Sequence, residues 1–444
     1  MNAEGVGKNN RFSLWLACAF FLYIVYLPVT QNLFKGCLIA AILLLILAKY
    51  LLYGKALRID STVLSWVLFY AAVGICYILF GLIMGAPGAL FSSFVYLVYP
   101  VVYAIFIAAA TQARIWVPLL KVMPIAAIAI GVGTLEYVLW SAGWFPISLY
   151  VDPGLVESIT FYQGYVQMSH YSLSSLIFLV PFLMAALVVY SEGNPPFIAR
   201  KLMWAGLLLG IAVTILGGRR ALLLLVVGTP LLIWLFRSQL PTQIRGASRR
   251  RILVALLGSA TVVLVGALLL FGTLDVGWHG LAELLAGGFD FDFDPNALTR
   301  TEQFFPLLRG WEAHPIFGNG LGAYTPEVVR NNRLWEYELQ YILLLFTTGV
   351  VGVLLYSSGI VWVYWKAIKI IRSGSVIGIH MVPVLVGTTC ILVANSVDPY
   401  LQTFGHLWMV FLPIGLINWH RISEGSDIKS AVFLASLVAH SPHE

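Results

Sequence analysis

Charge is scarce in this sequence. Of 444 residues, 26 are Lys or Arg and 20 are Asp or Glu, 10% in all, against roughly a quarter in ordinary soluble domains. So little charge cannot keep a chain disordered, nor can it clothe a cytosolic enzyme. Cysteine is scarce as well. Cys18, Cys37, Cys76 and Cys390 sit singly inside apolar runs, with neither pairing nor metal-ligand spacing, which excludes a disulfide scaffold. They read as small hydrophobes. Internal repeats of solenoid length and low-complexity tracts are missing too.

Apolar residues are plentiful. They make up 60% of the chain and include 14 Trp, 21 Tyr and 26 Phe. A polytopic helical membrane protein is the class that remains. A bilayer core about 30 Å thick needs roughly 20 apolar residues in a helix. That ruler predicts spans near 13–29, 37–53, 63–84, 89–110, 115–140, 169–191, 202–218, 221–236, 252–274, 339–364, 376–397 and 403–419. The expected fold is all-α, with about twelve transmembrane helices. The first run follows Lys8 and Arg11 but lacks a small-residue cleavage site, so it reads as a retained helix.

Basic residues set the orientation. With the N-terminus in the cytoplasm and sides alternating, all 26 face the cytoplasm except Lys35, Arg219, Arg220, Arg300, Arg309, Arg330 and Arg333. The net charge of +6 is thus explained by topology and anionic lipid heads rather than by nucleic acid. Residues 1–274 carry nine spans and the Arg219-Arg220 turn. Residues 275–338 form one large outer loop, 339–419 the last three spans, and 420–444 a cytoplasmic tail. Both termini are cytoplasmic.

Chemistry is sought where charge breaks this pattern. Arg219 and Arg220 follow Gly217-Gly218 between two short spans. They either snorkel to lipid phosphates or form an anion site, since guanidinium forks match phosphate oxygens. In the outer loop, 278–289 has the apolar face of a short helix lying on the membrane. Asp290, Asp292 and Asp294 alternate as in a calcium loop, but Pro295 and Thr301 stand where Gly and Glu are required. Gly318, Gly320 and Gly322 have no preceding strand and no Lys-Ser/Thr behind them, so they read as a tight turn rather than a phosphate loop.

The run Arg300…Trp311…His314-Pro315…Phe317-Gly318…Gly320…Gly322, followed by a re-entering helix, resembles the O-antigen ligase and O-antigen polymerase superfamily. So do the paired arginines after a short span, the long loop between late spans, and the number of spans. The resemblance is best over about 215–355. It implies a bacterial inner-membrane glycosyltransferase whose large loop is periplasmic. The substrate would be a glycan on an undecaprenyl-pyrophosphate carrier, with the carrier's pyrophosphate held by Arg219, Arg220 and Arg300. In the ligase branch a His-Asn pair opens the helix after the loop, eleven residues before a glycine. Here Glu338 takes the place of that His before Gly349, and Leu339 follows it. This departure favours the polymerase branch.

The chemistry can be argued beside the resemblance. A glycosyl pyrophosphate already has a good leaving group, so the enzyme must neutralise departing charge and activate a hydroxyl. Arginines serve the first need. A carboxylate such as Glu338 serves the second as general base. Arg309, Arg330, Arg333, His170 and Asp398 are candidate glycan contacts. Plainer readings stand beside them: Glu338 as a helix-start acid, Arg300 paired with Glu302 or the loop aspartates, and Arg309, Arg330 and Arg333 as solvated loop charges. No metal, cofactor or nucleic acid is expected. The partners are the lipid-linked glycan, membrane lipids and, for a polymerase, a chain-length regulator. Two other classes stay open: a lipid-glycan flippase, which should show repeated halves and broken helices, and a scaffold, which should tolerate loss of the arginines.

Overall fold

A computed structural model describes residues 8–54, 57–141, 156–162, 165–190, 198–216, 220–244, 258, 295–328 and 333–439. The described residues are mostly helical, with one β-hairpin among them. Its elements are α1 (Lys8–Tyr26), α2 (Asn32–Tyr53), α3 (Ser61–Ile83), α4 (Ala89–Ser93), a π-helical turn (Phe94–Val98), α5 (Tyr99–Ala113) and α6 (Trp116–Ser141). Then come β1 (Val156–Tyr162), β2 (Tyr165–His170), α7 (Leu173–Val189), α8 (Arg200–Leu216) and α9 (Arg220–Arg237). The last part holds α10 (Pro295–Ala313), α11 (Gln340–Arg372), α12 (Val376–Ala394), a 3₁₀ turn (Tyr400–Gln402) and α13 (Phe404–Ala439).

Among the described residues, six helices are long and apolar enough to cross a membrane: Asn32–Leu52, Ser61–Ile83, Ala89–Ala113, Trp116–Tyr137, Gln340–Arg372 and Val376–Ala394. Leu14–Tyr26, Leu173–Val189 and Leu224–Arg237 are apolar but shorter. This architecture is compatible with a membrane protein. The ninth expected span, 252–274, the surface helix at 278–289 and the acidic alternation at 290–294 lie outside the described residues, Gly258 excepted.

Helix α7 sits at the centre. Every residue from Leu173 to Ala186 is buried, as befits a helix apolar on all sides. It packs against α12, α8 and α9. Gly387 of α12 lies under the Phe178 ring, where a Cβ would approach to 2.8 Å; a small residue lets these helices close. Helix α2 is peripheral, and Leu33, Leu44, Leu51 and Leu52 stand exposed. That surface suits hydrocarbon. Capping follows local chemistry. Asp60 accepts the Thr62 N–H at 3.0 Å to open α3, and Ser375 accepts the Gly378 N–H at 3.1 Å to open α12.

The segment before α11 shapes the site by packing into that helix. This helix is broken at Gly349, whose φ of 61° and ψ of −172° are open only to glycine. Segment 315–320 fills the break. Val350 and Val351 donate their N–H groups to Pro315 and Ile316 at 3.0 and 3.1 Å. Asn319 and Gly320 donate theirs to Phe346 and Thr347 at 3.0 and 2.8 Å. Irregular backbone beside an apolar helix is tolerated when protein groups satisfy it in this way. Gly318, Gly320 and Gly322 all adopt positive φ, so they make the tight turn expected of them. A Cβ on Gly322 would lie 2.1 Å from the Ala89 N. The turn is wedged between α3, α4 and α11, with Leu321 N–H on Tyr77 O at 3.2 Å and Gly88 N–H on Gly322 O at 3.0 Å.

Three features depart from the sequence reading. The segment before α7 is a hairpin, with Tyr162 opposite Tyr165 and Ile159 opposite Met168, so the helix begins at Leu173 rather than near 169. The segment expected as the large loop, 275–338, contains the helix α10. The expected tail is largely a continuation of α13, which runs to Ala439.

Candidate functional site

Helix α10 positions the site. Pro295 opens it, as its ring favours a first helical position. Arg300, Gln303 and Leu307 follow at intervals of three and four residues and share one face. Leu307 and Gln303 are fully buried, both at 0% exposure. Leu307 packs with Ala323, Tyr337, Leu343 and Phe346, which presses α10 onto the start of α11.

Glu338 lies in that junction. Arg300 Nε donates to Glu338 Oε2 at 3.0 Å, and the two side chains are 30% and 6% exposed. Gln303 Oε1 accepts the Glu338 backbone N–H at 2.8 Å. One face of α10 therefore grips Glu338 twice, by its carboxylate and by its main chain. A charge-assisted hydrogen bond of this kind contributes roughly 1.5–3 kcal/mol. Gln303 must present its oxygen to that N–H, so its Nε2 is fixed in place, buried and without a hydrogen-bond partner.

The residues beside Glu338 are also tied down. Thr325 N–H donates to the buried Tyr337 hydroxyl at 2.8 Å. Burial pushes the Tyr337 phenol up, against a smaller downward pull from that hydrogen bond, so it stays neutral. Gln340 Nε2 donates to Tyr337 O at 2.5 Å, and Gln402 Nε2 donates to Gln340 Oε1 at 2.6 Å. This chain of bonds links the start of α11 to the turn before α13. A small pocket adjoins it, lined by Phe91, Tyr96, Trp335, Thr347 and Gln402 among others.

The sequence candidates are thus divided. Arg300 and Glu338, chosen separately, come into direct contact. The ion pair described for Arg300 is with Glu338, the loop aspartates lie outside the described residues, and α11 starts two residues beyond Glu338. Arg333 pairs with Glu336 at 2.6 Å, and its guanidinium lies 5.0 Å from the centre of the Phe91 ring, at the edge of the pocket. Arg309 pairs with Glu327 on the surface, where such pairs contribute little. Asp398 accepts the Tyr400 hydroxyl at 2.9 Å within its own turn. His170 closes β2 and Arg220 opens α9. Arg219 and Arg330 lie outside the described residues.

Two features were not read from sequence. Gln303 has no charge to draw the eye, although its three-residue spacing from Arg300 was a usable signal. The second feature is a buried contact between Ser174 Oγ and His406 Nε2 at 2.7 Å, with His406 Nδ1 3.1 Å from Tyr400 O. It fastens α7 to α13. Among the described residues, no group of three His, Cys, Asp or Glu side chains is arranged to hold a metal ion. A scan of family models and a search of curated proteins find no match to this chain.

Proposed function

We propose that this chain is a bacterial inner-membrane glycosyltransferase of the polysaccharide polymerase type. In this reading it has twelve spans, cytoplasmic termini and a periplasmic loop at 275–338. The site lies where that loop meets α11, at the periplasmic face. The observation that carries the reading is the Arg300–Glu338 contact at 3.0 Å. It joins an anion-binding side chain and a proton acceptor at the outer end of an apolar helix.

The chemistry is a displacement at a sugar carbon. A hydroxyl oxygen of the acceptor glycan bonds to the anomeric carbon of the donor glycan. The bond from that carbon to the carrier's pyrophosphate oxygen breaks, and its electron pair leaves with the pyrophosphate. The hydroxyl proton passes to the Glu338 carboxylate. Arg300, with Arg219 and Arg220, neutralises the leaving group. When the acceptor is another lipid-linked repeat unit, the product is a longer lipid-linked chain. A ligase would perform the same step on a lipid A core or a protein.

Among the described residues, the break in α11 is a feature a flippase would share. Here segment 315–320 occupies it and takes up its backbone groups, leaving those groups committed to the protein rather than to cargo. This supports an enzyme over a transporter.

The test is reconstitution of purified protein with one synthetic undecaprenyl-pyrophosphate repeat unit and no other acceptor. A ladder of lengthened glycans is the expected result. Donor consumption only on adding a lipid A core or protein would make it a ligase. No turnover in either case would overturn the enzyme reading.

A further inference from the structure

We infer that the Arg300–Glu338 ion pair is a resting contact that the carrier's pyrophosphate opens by drawing Arg300 away from the carboxylate. The inference rests on the function proposed above and concerns regulation of that same site.

The first argument is competition. Arg300 is asked to neutralise a leaving pyrophosphate, yet it donates to a carboxylate. Two anions that share one guanidinium oppose each other's binding. A diphosphate carries more charge and more acceptor oxygens than a carboxylate, and a guanidinium fork suits it well.

The second argument concerns which partner moves. Glu338 is 6% exposed, and its backbone N–H is fixed by the buried Gln303. Its neighbours Tyr337 and Gln340 are held by Thr325 and Gln402. Arg300 is 30% exposed and sits at the end of a long side chain. Exchange therefore proceeds by Arg300 turning outward while the carboxylate stays in position. Gln303 becomes a positioning residue that holds Glu338 when its cation leaves.

The measurement is the affinity of purified protein in lipid nanodiscs for ³²P-labelled undecaprenyl pyrophosphate. This ligand lacks a glycan and cannot turn over. The wild type is compared with Glu338→Gln, Arg300→Ala and the double variant. Glu338→Gln keeps the shape and removes the competing charge, so it should bind about fivefold tighter or more, the lower end of ordinary site coupling. Arg300→Ala should bind more weakly. The double variant should match Arg300→Ala, because the gain needs Arg300. Arg300→Gln replaces Arg300→Ala should the latter not purify as a single species. Unchanged or weaker binding by Glu338→Gln, or a gain that persists without Arg300, would overturn the exchange while leaving the anion site intact. Absence of binding by all four proteins would overturn the anion site itself, and the exchange with it.

Discussion

Gln303 and Glu338 stand 35 positions apart in the chain and are joined at 2.8 Å, side-chain oxygen to backbone N–H. This bond fixes where the carboxylate can be. It also gives a role to a fully buried amide on the face of α10 that carries the buried Leu307. Gln303→Leu should lower turnover by tenfold or more, with donor affinity little changed, because it loosens Glu338 but leaves Arg300 in place. The check is a kcat against KM comparison in the reconstituted ladder assay. Lost affinity at normal kcat would assign Gln303 to binding instead.

Arg300→Ala and Arg220→Ala should each reduce glycan transfer by roughly 10²–10³, the usual cost of removing one group that stabilises developing charge. Protein levels in the membrane should be unchanged. Glycan length on a gel, with immunoblotting of the same membranes, reads both. Wild-type glycan length in both variants would remove the anion-site claim, and the scaffold reading predicts that result.

Glu338→Gln should be inactive while still retaining the lipid-linked donor. Single-turnover assays with bound donor would separate the two effects. Normal turnover would eliminate Glu338 as base.

Gly349→Ala should destabilise the fold. The residue occupies backbone angles that only glycine visits readily, at a strain of about 1–3 kcal/mol, and the new Cβ would lie 2.3 Å from Ile316 O. A lower apparent Tm in detergent is expected. Gly228→Ala is the control, since a Cβ there meets nothing within 4 Å. Equal melting of Gly349→Ala and wild type would mean that segment 315–320 does not hold the break.

The helices were legible because each is a long apolar run bounded by charge, and the positions of α1–α9 and α11–α13 follow those runs. The hairpin was not, because residues 156–170 mix polar and apolar side chains without strict alternation. The break in α11 was hidden for another reason. Gly349 is one of 40 glycines, and what distinguishes it is backbone brought in from 315–320. Site residues divide in the same way. Arg300 and Glu338 stood out as rare charges on what the sequence reading took as the outer side. Their contact across 38 positions, and the part played by Gln303, depend on how α10 docks, which no local pattern encodes.

The wedged glycine turn carries a lesson for chimeras. Leu321 and Gly322 bond to Tyr77 and Gly88, more than 230 positions earlier, so the segment before α11 is built into the first third of the chain. Exchanging residues 275–338 with those of a relative, in the hope of moving specificity alone, would pull a keystone out of α3 and α4. A functional graft must carry both ends of that contact, and selection on either end constrains the other.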